Sequence, residues 1–515
     1  MIDDMRKTFL YLIISILGMG IIGCGDFLEE SSQDEVRPST VGDLEQLLLG
    51  EGYFRGEIII FPWLELLTDN VQNSFTKNER QHSLVRQGMP VFTWQADMFE
   101  QMEIESATYI DTWETLYSKI KGCNVVLDML EKVSGDESSK LNQKGQALAL
   151  RAYYYFLLVN LWGEPYNKEG IDVNRALAVP LILNSAVKDD FPVRESLAKV
   201  YGQIETDLLE AADLLDKYGQ DNIKYKVTPL FAYNLLSRMY LYMENWEKAA
   251  YYASIVIERN PQLTRLSDCI TLVEDPWGWS PPTVTPDRAK GGVLNYDSPE
   301  FIWGYGNPSN TSGNPYFQMP DIFTYPGSLP VFSISEEFLG HYEENDLRLD
   351  FYFLNFVKGL SPSWQPMIGV LQGYKIGDDD NANSPRGMRV TEAYLNRAEA
   401  NIRLFLKNGS DALRVSALAD LNYLRSHRFT QPYVDVEVAD DKLLEFCLEE
   451  RRKEFIHEDH RWFDLRRCGM PELVHKYTIT EGQTQEVRLE TGSDRYVLRI
   501  PLKVLEKNPA LVQNP

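Results

Sequence analysis

"LFAYNLLSRMYLYMENWEKAAYYASIVIERNP", residues 230–261, decides the fold. Apolar side chains recur in it every three or four residues, the period of a helix that buries one face. The stretch reads as a helix, a turn and a second helix, closed by Pro261, which cannot continue a helical ladder.

The same stretch matches the tetratricopeptide unit almost position by position. Tyr233, Leu236, Tyr240, Ala249 and Pro261 fall at its signature spacings. Ser237 stands where that unit places a small residue so that its two helices can cross closely. Ala253 and Val256 depart mildly from the usual Phe and Ala.

Helical periodicity extends on both sides. It runs through "YIDTWETLYSKIKGCNVVLDMLEKV" and "KLNQKGQALALRAYYYFLLVNLW", and stops at Gly163 ahead of Pro165. It resumes in "RESLAKVYGQIETDLLEAADLL". Helices return at "MRVTEAYLNRAEANIRLFLKN", "DALRVSALADLNYLRSHR" and "DKLLEFCLEERRKEFIHEDHRWFDLRR", before a tail read as extended. A helical scaffold is therefore expected over about 104–261 and 387–467. Between them, about 262–386, periodicity fails and Gly, Pro, Asn and aromatic residues crowd together. So long an irregular stretch usually carries function.

Composition bounds the ligand. A net charge of −25 argues against nucleic acid and anionic membrane surfaces. Aromatic residues at 12% suit neutral ring-shaped ligands such as sugars, and equally suit core packing.

The N-terminus reads as an export signal over residues 1–23. Arg6 and Lys7 precede the apolar run "TFLYLIISILGMGIIG". Asp3 and Asp4 are unusual there, and Met5 is an alternative start. The run is short for a membrane span, which needs about 20 apolar residues. It ends in Ile21-Ile22-Gly23-Cys24, similar to a bacterial lipobox in which the cysteine receives lipid. Residues 24–40 then form an acidic tether, and 41–515 a single domain. Cys123, Cys269, Cys447 and Cys468 show no metal-ligand spacing, and read as buried thiols or at most one or two disulfides.

Metal chemistry was weighed at "HEDHRWFDLRR", residues 457–467. A zinc-protease helix needs histidines at i and i+4. His457 and His460 are three apart, with Glu458 and Asp459 between them, and the chain has only 6 His. A helix end locked by its charges and Trp462 is the better reading. In "GDDDNANS", a solvated acidic turn is the better reading, and a structural Ca²⁺ on Asp378, Asp379 and Asp380 the lesser one. No nucleophile–base pair stands out.

Seven segments, in order, resemble the SusD/RagB family of outer-membrane nutrient-binding lipoproteins of the Bacteroidetes. They are "CGDFL", "ALRAYYYFLLVNLWGEPY", "SISEEFLGHYEENDLRLDFYF", "RVTEAYLNRAEA", Asn422–Arg428, "EERRKEFIHEDHRWFDLRR" and "IPLKVLEKNPALVQNP". Phe338 replaces the more usual Leu. The resemblance implies a mainly α, SusD-like fold. Tetratricopeptide-like helix pairs would pack against an irregular, loop-rich region with few short strands. It makes Glu450, Arg451, Glu454, Arg461 and Asp464 scaffold ion pairs. It also implies a non-enzymatic glycan-binding protein without a cofactor, anchored in the outer membrane through Cys24. Such a protein faces the cell surface and hands its ligand to a SusC-like TonB-dependent transporter, which meets the helical flank.

Sugar rings stack on aromatic faces, and their hydroxyls need amides and carboxylates. The central region offers Trp277, Trp279, Trp303, Tyr305, Asn307, Asn314 and Tyr316. "LTDNVQN" and "FTWQAD" add Asp69, Asn70 and Trp94. Trp303 with Tyr305 is the leading pair. Peptide or glycopeptide uptake is the alternative ligand class, and a surface glycoside hydrolase the rival activity.

Overall fold

The computed structural model describes residues 38–54, 60–75, 79–105, 111–186, 190–219, 223–273, 283–287, 290–306, 315–317, 331–353 and 386–515. Contacts divide the chain between Ser39 and Thr40; the account below concerns the second part.

Its α-helices of six or more residues are α1 (Val41–Leu47), α2 (Glu79–Phe92), α3 (Met98–Ile104), α4 (Thr112–Met129), α5 (Glu137–Trp162) and α6 (Leu197–Tyr218). There follow α7 (Pro229–Tyr242), α8 (Trp246–Arg259), α9 (Val390–Asn408), α10 (Asp411–Ser426), α11 (Leu443–Glu454), α12 (Arg461–Arg467) and α13 (Leu502–Lys507). From α4 to α10 each helix packs against the next in chain order, and the step from α8 to α9 spans the irregular region. Such stacking is how helix pairs that cannot bury a face alone obtain a continuous core.

Local chemistry explains the boundaries. Asp111, Asp136, Ser196 and Asn245 each cap a helix, their side chains accepting from the backbone three residues on. Helix α5 is buried at every position from Gly145 to Trp162, so it is enclosed on all sides, and its buried Arg151 is paired with Asp207 of α6. At the α7–α8 crossing the fully buried Ser237 hydroxyl donates to the Ala249 carbonyl at 2.9 Å and accepts from Asn396 of α9 at 3.2 Å. The small residue thus ties three helices. Pro261 closes the unit, its carbonyl accepting from the Tyr394 and Tyr423 hydroxyls.

Strands come in antiparallel pairs: β1 (Val71–Asn73) with β5 (Phe332–Ile334), β2 (Ile270–Val273) with β3 (Thr283–Pro286), β4 (Phe301–Tyr305) with β6 (Arg386–Arg389), and β7 (Leu473–Thr480) with β8 (Gln483–Leu489). The β4–β6 ladder needs glycine where Gly304 faces Gly387. A Cβ on Gly387 would sit 1.9 Å from the Trp303 carbonyl oxygen, and one on Gly304 would sit 2.2 Å from the Phe301 ring.

Two sequence expectations are corrected. The helix expected over 441–467 breaks between α11 and α12, where His457 and Asp459 take left-handed backbone angles (φ 59° and 63°). The tail is not wholly extended, because Leu502–Lys507 forms α13. The cysteines are free thiols: Cys123, Cys269 and Cys447 are buried, and burial pushes Cys123 up to about 12. Among the described residues no helix is long and apolar enough to cross a membrane.

Candidate functional site

The family-like segment 450–467 forms the electrostatic core. Glu454 is fully buried, and its carboxylate accepts from Arg428 (3.0–3.2 Å), from Arg389 (2.9 Å) and from the Tyr352 hydroxyl (2.9 Å). Arg348 lies 3.5 Å away. Glu300 and Glu458 complete the shells of Arg428 and Arg389, while Asp346 and Glu450 complete that of Arg348. Burial opposes ionisation of Glu454, but the three guanidinium groups outweigh it and hold the carboxyl well below its ordinary range. A second cluster joins Arg451 and Arg467 to Asp464, and Arg467 to Glu399. Trp462 is buried and stacks on Tyr496 at 4.9 Å. His460 stacks on Phe455, and its Nδ1 lies 3.2 Å from Arg451. Among the described residues no group of three or more His, Cys, Asp or Glu is placed to hold a metal ion.

The residues singled out for ligand binding fall into three sets. Trp277, Trp279, Asn307 and Asn314 lie outside the described residues, as do Asp378, Asp379, Asp380 and Cys24. Trp303 and Tyr305 lie in the core. Trp303 is 0% exposed, edge-on to Tyr153 and Phe231, and Tyr305 packs on Phe54 at 4.8 Å. In this arrangement neither ring offers a face to solvent.

The third set, Asp69, Asn70, Trp94 and Tyr316, is drawn together by rings and hydrogen bonds. Trp94 (φ 50°) donates through Nε1 to the Leu67 carbonyl at 3.0 Å. His475 of β7 stacks on both Trp94 and Phe92, each centroid at 4.1 Å. Phe92 meets Phe332 at 5.4 Å, and Phe332 meets Tyr316 at 6.3 Å. One row of rings thus joins the N-terminal zone to the central region. Asp69 pairs with Arg461 at 2.6 Å, and Asn70 bridges Arg452 (2.8 Å) and Glu65 (2.9 Å). Burial raises Asp69, but Arg461 and Arg452 outweigh it and hold the carboxyl at about 2. Burial pushes Glu65 up to about 7 against the Asn70 hydrogen bond.

A cleft of about 300 Å³ opens between α2, α3 and β7. Gln95, the neighbour of Trp94, lines it together with Gln101, Arg86, Glu105, Val85 and Met89. Arg86 and Glu105 pair across its edge at 3.0 Å. Amides, a cation and a carboxylate over apolar walls suit a polyhydroxyl ligand. Among the described residues lining it there is one carboxylate, Glu105. A larger cleft, about 440 Å³, lies between α4 and the C-terminal tail, and its walls of Trp113, Pro180, Ile182, Val504 and Leu511 suit a polyhydroxyl ligand poorly.

Comparison with known proteins places the chain. A family model described as starch-binding associating with outer membrane matches residues 26–241, and the SusD family model matches 370–515. The chain belongs to the SusD/RagB family. It is 22% identical to the SusD-like protein P25 of Formosa agariphila, over 98% of this chain and 97% of that one. Its fold matches a SusD superfamily protein from Bacteroides thetaiotaomicron with a TM-score of 0.66 at 23% identity, covering 92% of this chain and 100% of the other. It also matches a SusD-like carbohydrate binding protein from Bacteroides vulgatus, with a TM-score of 0.63 at 21% identity and coverage of 92% and 97%. Within this SusD/RagB chain, sequence reasoning missed Arg86, Gln101 and His475. Gln95 stood inside a quoted segment beside the aromatic residue that was chosen.

Proposed function

We propose that this SusD/RagB protein captures oligosaccharides at the cell surface and delivers them to a SusC-like TonB-dependent transporter, held in the outer membrane by lipid on Cys24. The observation that carries the reading is the amide-bearing cleft whose Gln95 directly follows Trp94, a member of the row of aromatic rings that joins the two expected zones. In this reading Asp69, Asn70, Trp94 and Tyr316 support the site, and Trp303 and Tyr305 belong to the helical core. Ligand contact falls to the cleft residues and to Trp277, Trp279, Asn307 and Asn314. The name of the Bacteroides vulgatus neighbour, a carbohydrate binding protein, agrees with it.

The protein acts without catalysis in this account. Glycoside hydrolysis needs two carboxylates flanking the scissile bond, and the described cleft lining offers Glu105 alone, already paired with Arg86. For transporter docking, the helical flank offers exposed Phe191 and Val193 next to Pro192 of the larger cleft. Apolar surface of this kind marks protein contact sites.

Isothermal titration with a panel of plant, host and microbial oligosaccharides tests the reading, with reducing ends assayed in the same samples. Saturable heat without new reducing ends is expected. New reducing ends would make the protein a hydrolase, and heat only with peptides would replace the ligand class.

A further inference from the structure

His475 of β7 is buried and stacked on Phe92 and Trp94. Its Nδ1 is 2.7 Å from the Phe92 carbonyl oxygen, and its Nε2 is 2.9 Å from the Thr68 carbonyl oxygen. A carbonyl oxygen can only accept, and a neutral imidazole has one N–H to donate. In the neutral state one of these contacts sets a nitrogen lone pair against an oxygen lone pair at hydrogen-bond distance. Turning the ring over would set Cδ2 and Cε1 against the two carbonyl oxygens instead, closer than the roughly 3.3–3.6 Å of a C–H···O contact. Both contacts are hydrogen bonds only if both nitrogens carry protons.

The surroundings divide on the question. Burial is the largest influence and sets the pKa of the ring below its ordinary value, against the bonds with Phe92 and Thr68 and the charge of Asp69, which raise it. Asp69 comes from the loop after Thr68, and it is shared with Arg461 and Arg452. The end of α2 brings the rings of Phe92 and Trp94, whose π-faces favour a cation. Across the hairpin the residue opposite is Val487, and β1 brings Val71, Gln72 and Asn73, none of them charged. The facing charges Lys476 and Glu486 stand one step along the ladder, where side chains point to the other side.

We propose that His475 is held as an imidazolium and serves as a positioning residue for the cleft. Two charge-assisted hydrogen bonds clamp β7 to the loop at Thr68 and to the end of α2 at Phe92. Gln95 and Thr478, which line the cleft, stand three residues from the clamped positions. The positioning role rests on the reading of the cleft as the ligand site; the charge state does not. In the proposed state the two carbonyl contacts outweigh burial, and the sign is that of a raised pKa. A ring whose folded pKa is raised stabilises the fold below its ordinary value of about 6.5, and that contribution is lost as pH rises through the higher folded value.

The test uses the full chain labelled with ¹⁵N-histidine, whose ring nitrogens are observed at pH 7.5, where an unperturbed imidazole is about 90% neutral. The chain has 6 His, so the signals of His475 are those lost in His475→Gln, or those left after single Gln variants at the other histidines should His475→Gln not fold. Two protonated nitrogens are expected for His475. One protonated and one bare nitrogen overturns the charge state and the clamp with it. Oligosaccharide affinity is then followed across the pH interval in which that signal titrates, and a loss of affinity is expected. A flat profile overturns the positioning role and leaves the charge state standing. Absence of oligosaccharide binding at every pH defeats the cleft reading and the positioning role together, and the spectra still decide the charge state.

Discussion

Glu454→Gln tests the electrostatic core most sharply, because it removes one charge while keeping the size and planarity of the side chain. The five cations Arg348, Arg389, Arg425, Arg428 and Lys453 face five buried carboxylates, Asp346, Glu300, Glu450, Glu454 and Glu458, and Arg425 also pairs with the half-exposed Glu343. The variant takes one negative charge from among the buried arginines 348, 389 and 428. Breaking a buried pair on one side costs about 3–5 kcal/mol. Unfolding entropy near 60 °C is about 2 cal/mol/K per residue, hence on the order of 1 kcal/mol/K here, so the melting temperature should fall by about 3–5 °C. Scanning calorimetry measures it directly. Because the folded carboxyl is depressed, its contribution is present above the unfolded pKa of about 4.3 and lost as pH falls toward its folded value. The gap between wild type and variant should therefore close on acidification. A variant that melts within about 1 °C of wild type at pH 7 would refute the reasoning.

Three further outcomes follow from the geometry. Trp303→Ala should cost about 3–5 kcal/mol through loss of core packing, read by urea denaturation, yet leave oligosaccharide affinity per folded molecule unchanged. Trp303→Phe should cost far less than the Ala variant, because the indole N–H has no acceptor among the described residues. Asp69→Asn should remove about 2.5 kcal/mol at pH 7, since a carboxyl held at about 2 lies nearly two pH units below its ordinary value and each unit is worth about 1.4 kcal/mol. Wild type should lose that advantage between about pH 4 and pH 2, as urea midpoints measured across this range will show.

What the sequence revealed divides along physical lines. The α7–α8 hairpin was legible because its information is local: a helical period, a small residue at the crossing and a closing proline. The ion pairs of Glu450, Arg451, Glu454, Arg461 and Asp464 were legible through the motif that holds them, although their partners at 69, 348, 389, 425 and 428 were not. The break at 455–460 was hidden because His and Asp tolerate left-handed angles without the glycine or proline that would announce a turn. Trp303 misled because alternating aromatic and glycine residues read alike in a binding loop and in a buried two-stranded ladder. His475 left no signal at all. Its acceptors are backbone carbonyls nearly 400 residues away, and a carbonyl has no letter in the sequence.

The central claim is that a glycan sits in the cleft between α2, α3 and β7. Native affinity electrophoresis of wild type, Arg86→Ala/Gln101→Ala and Trp303→Phe in gels carrying soluble polysaccharides tests it most directly. The account predicts that at least one glycan retards wild type and Trp303→Phe alike, and that the cleft variant runs free. Retardation of the cleft variant equal to that of wild type would contradict it.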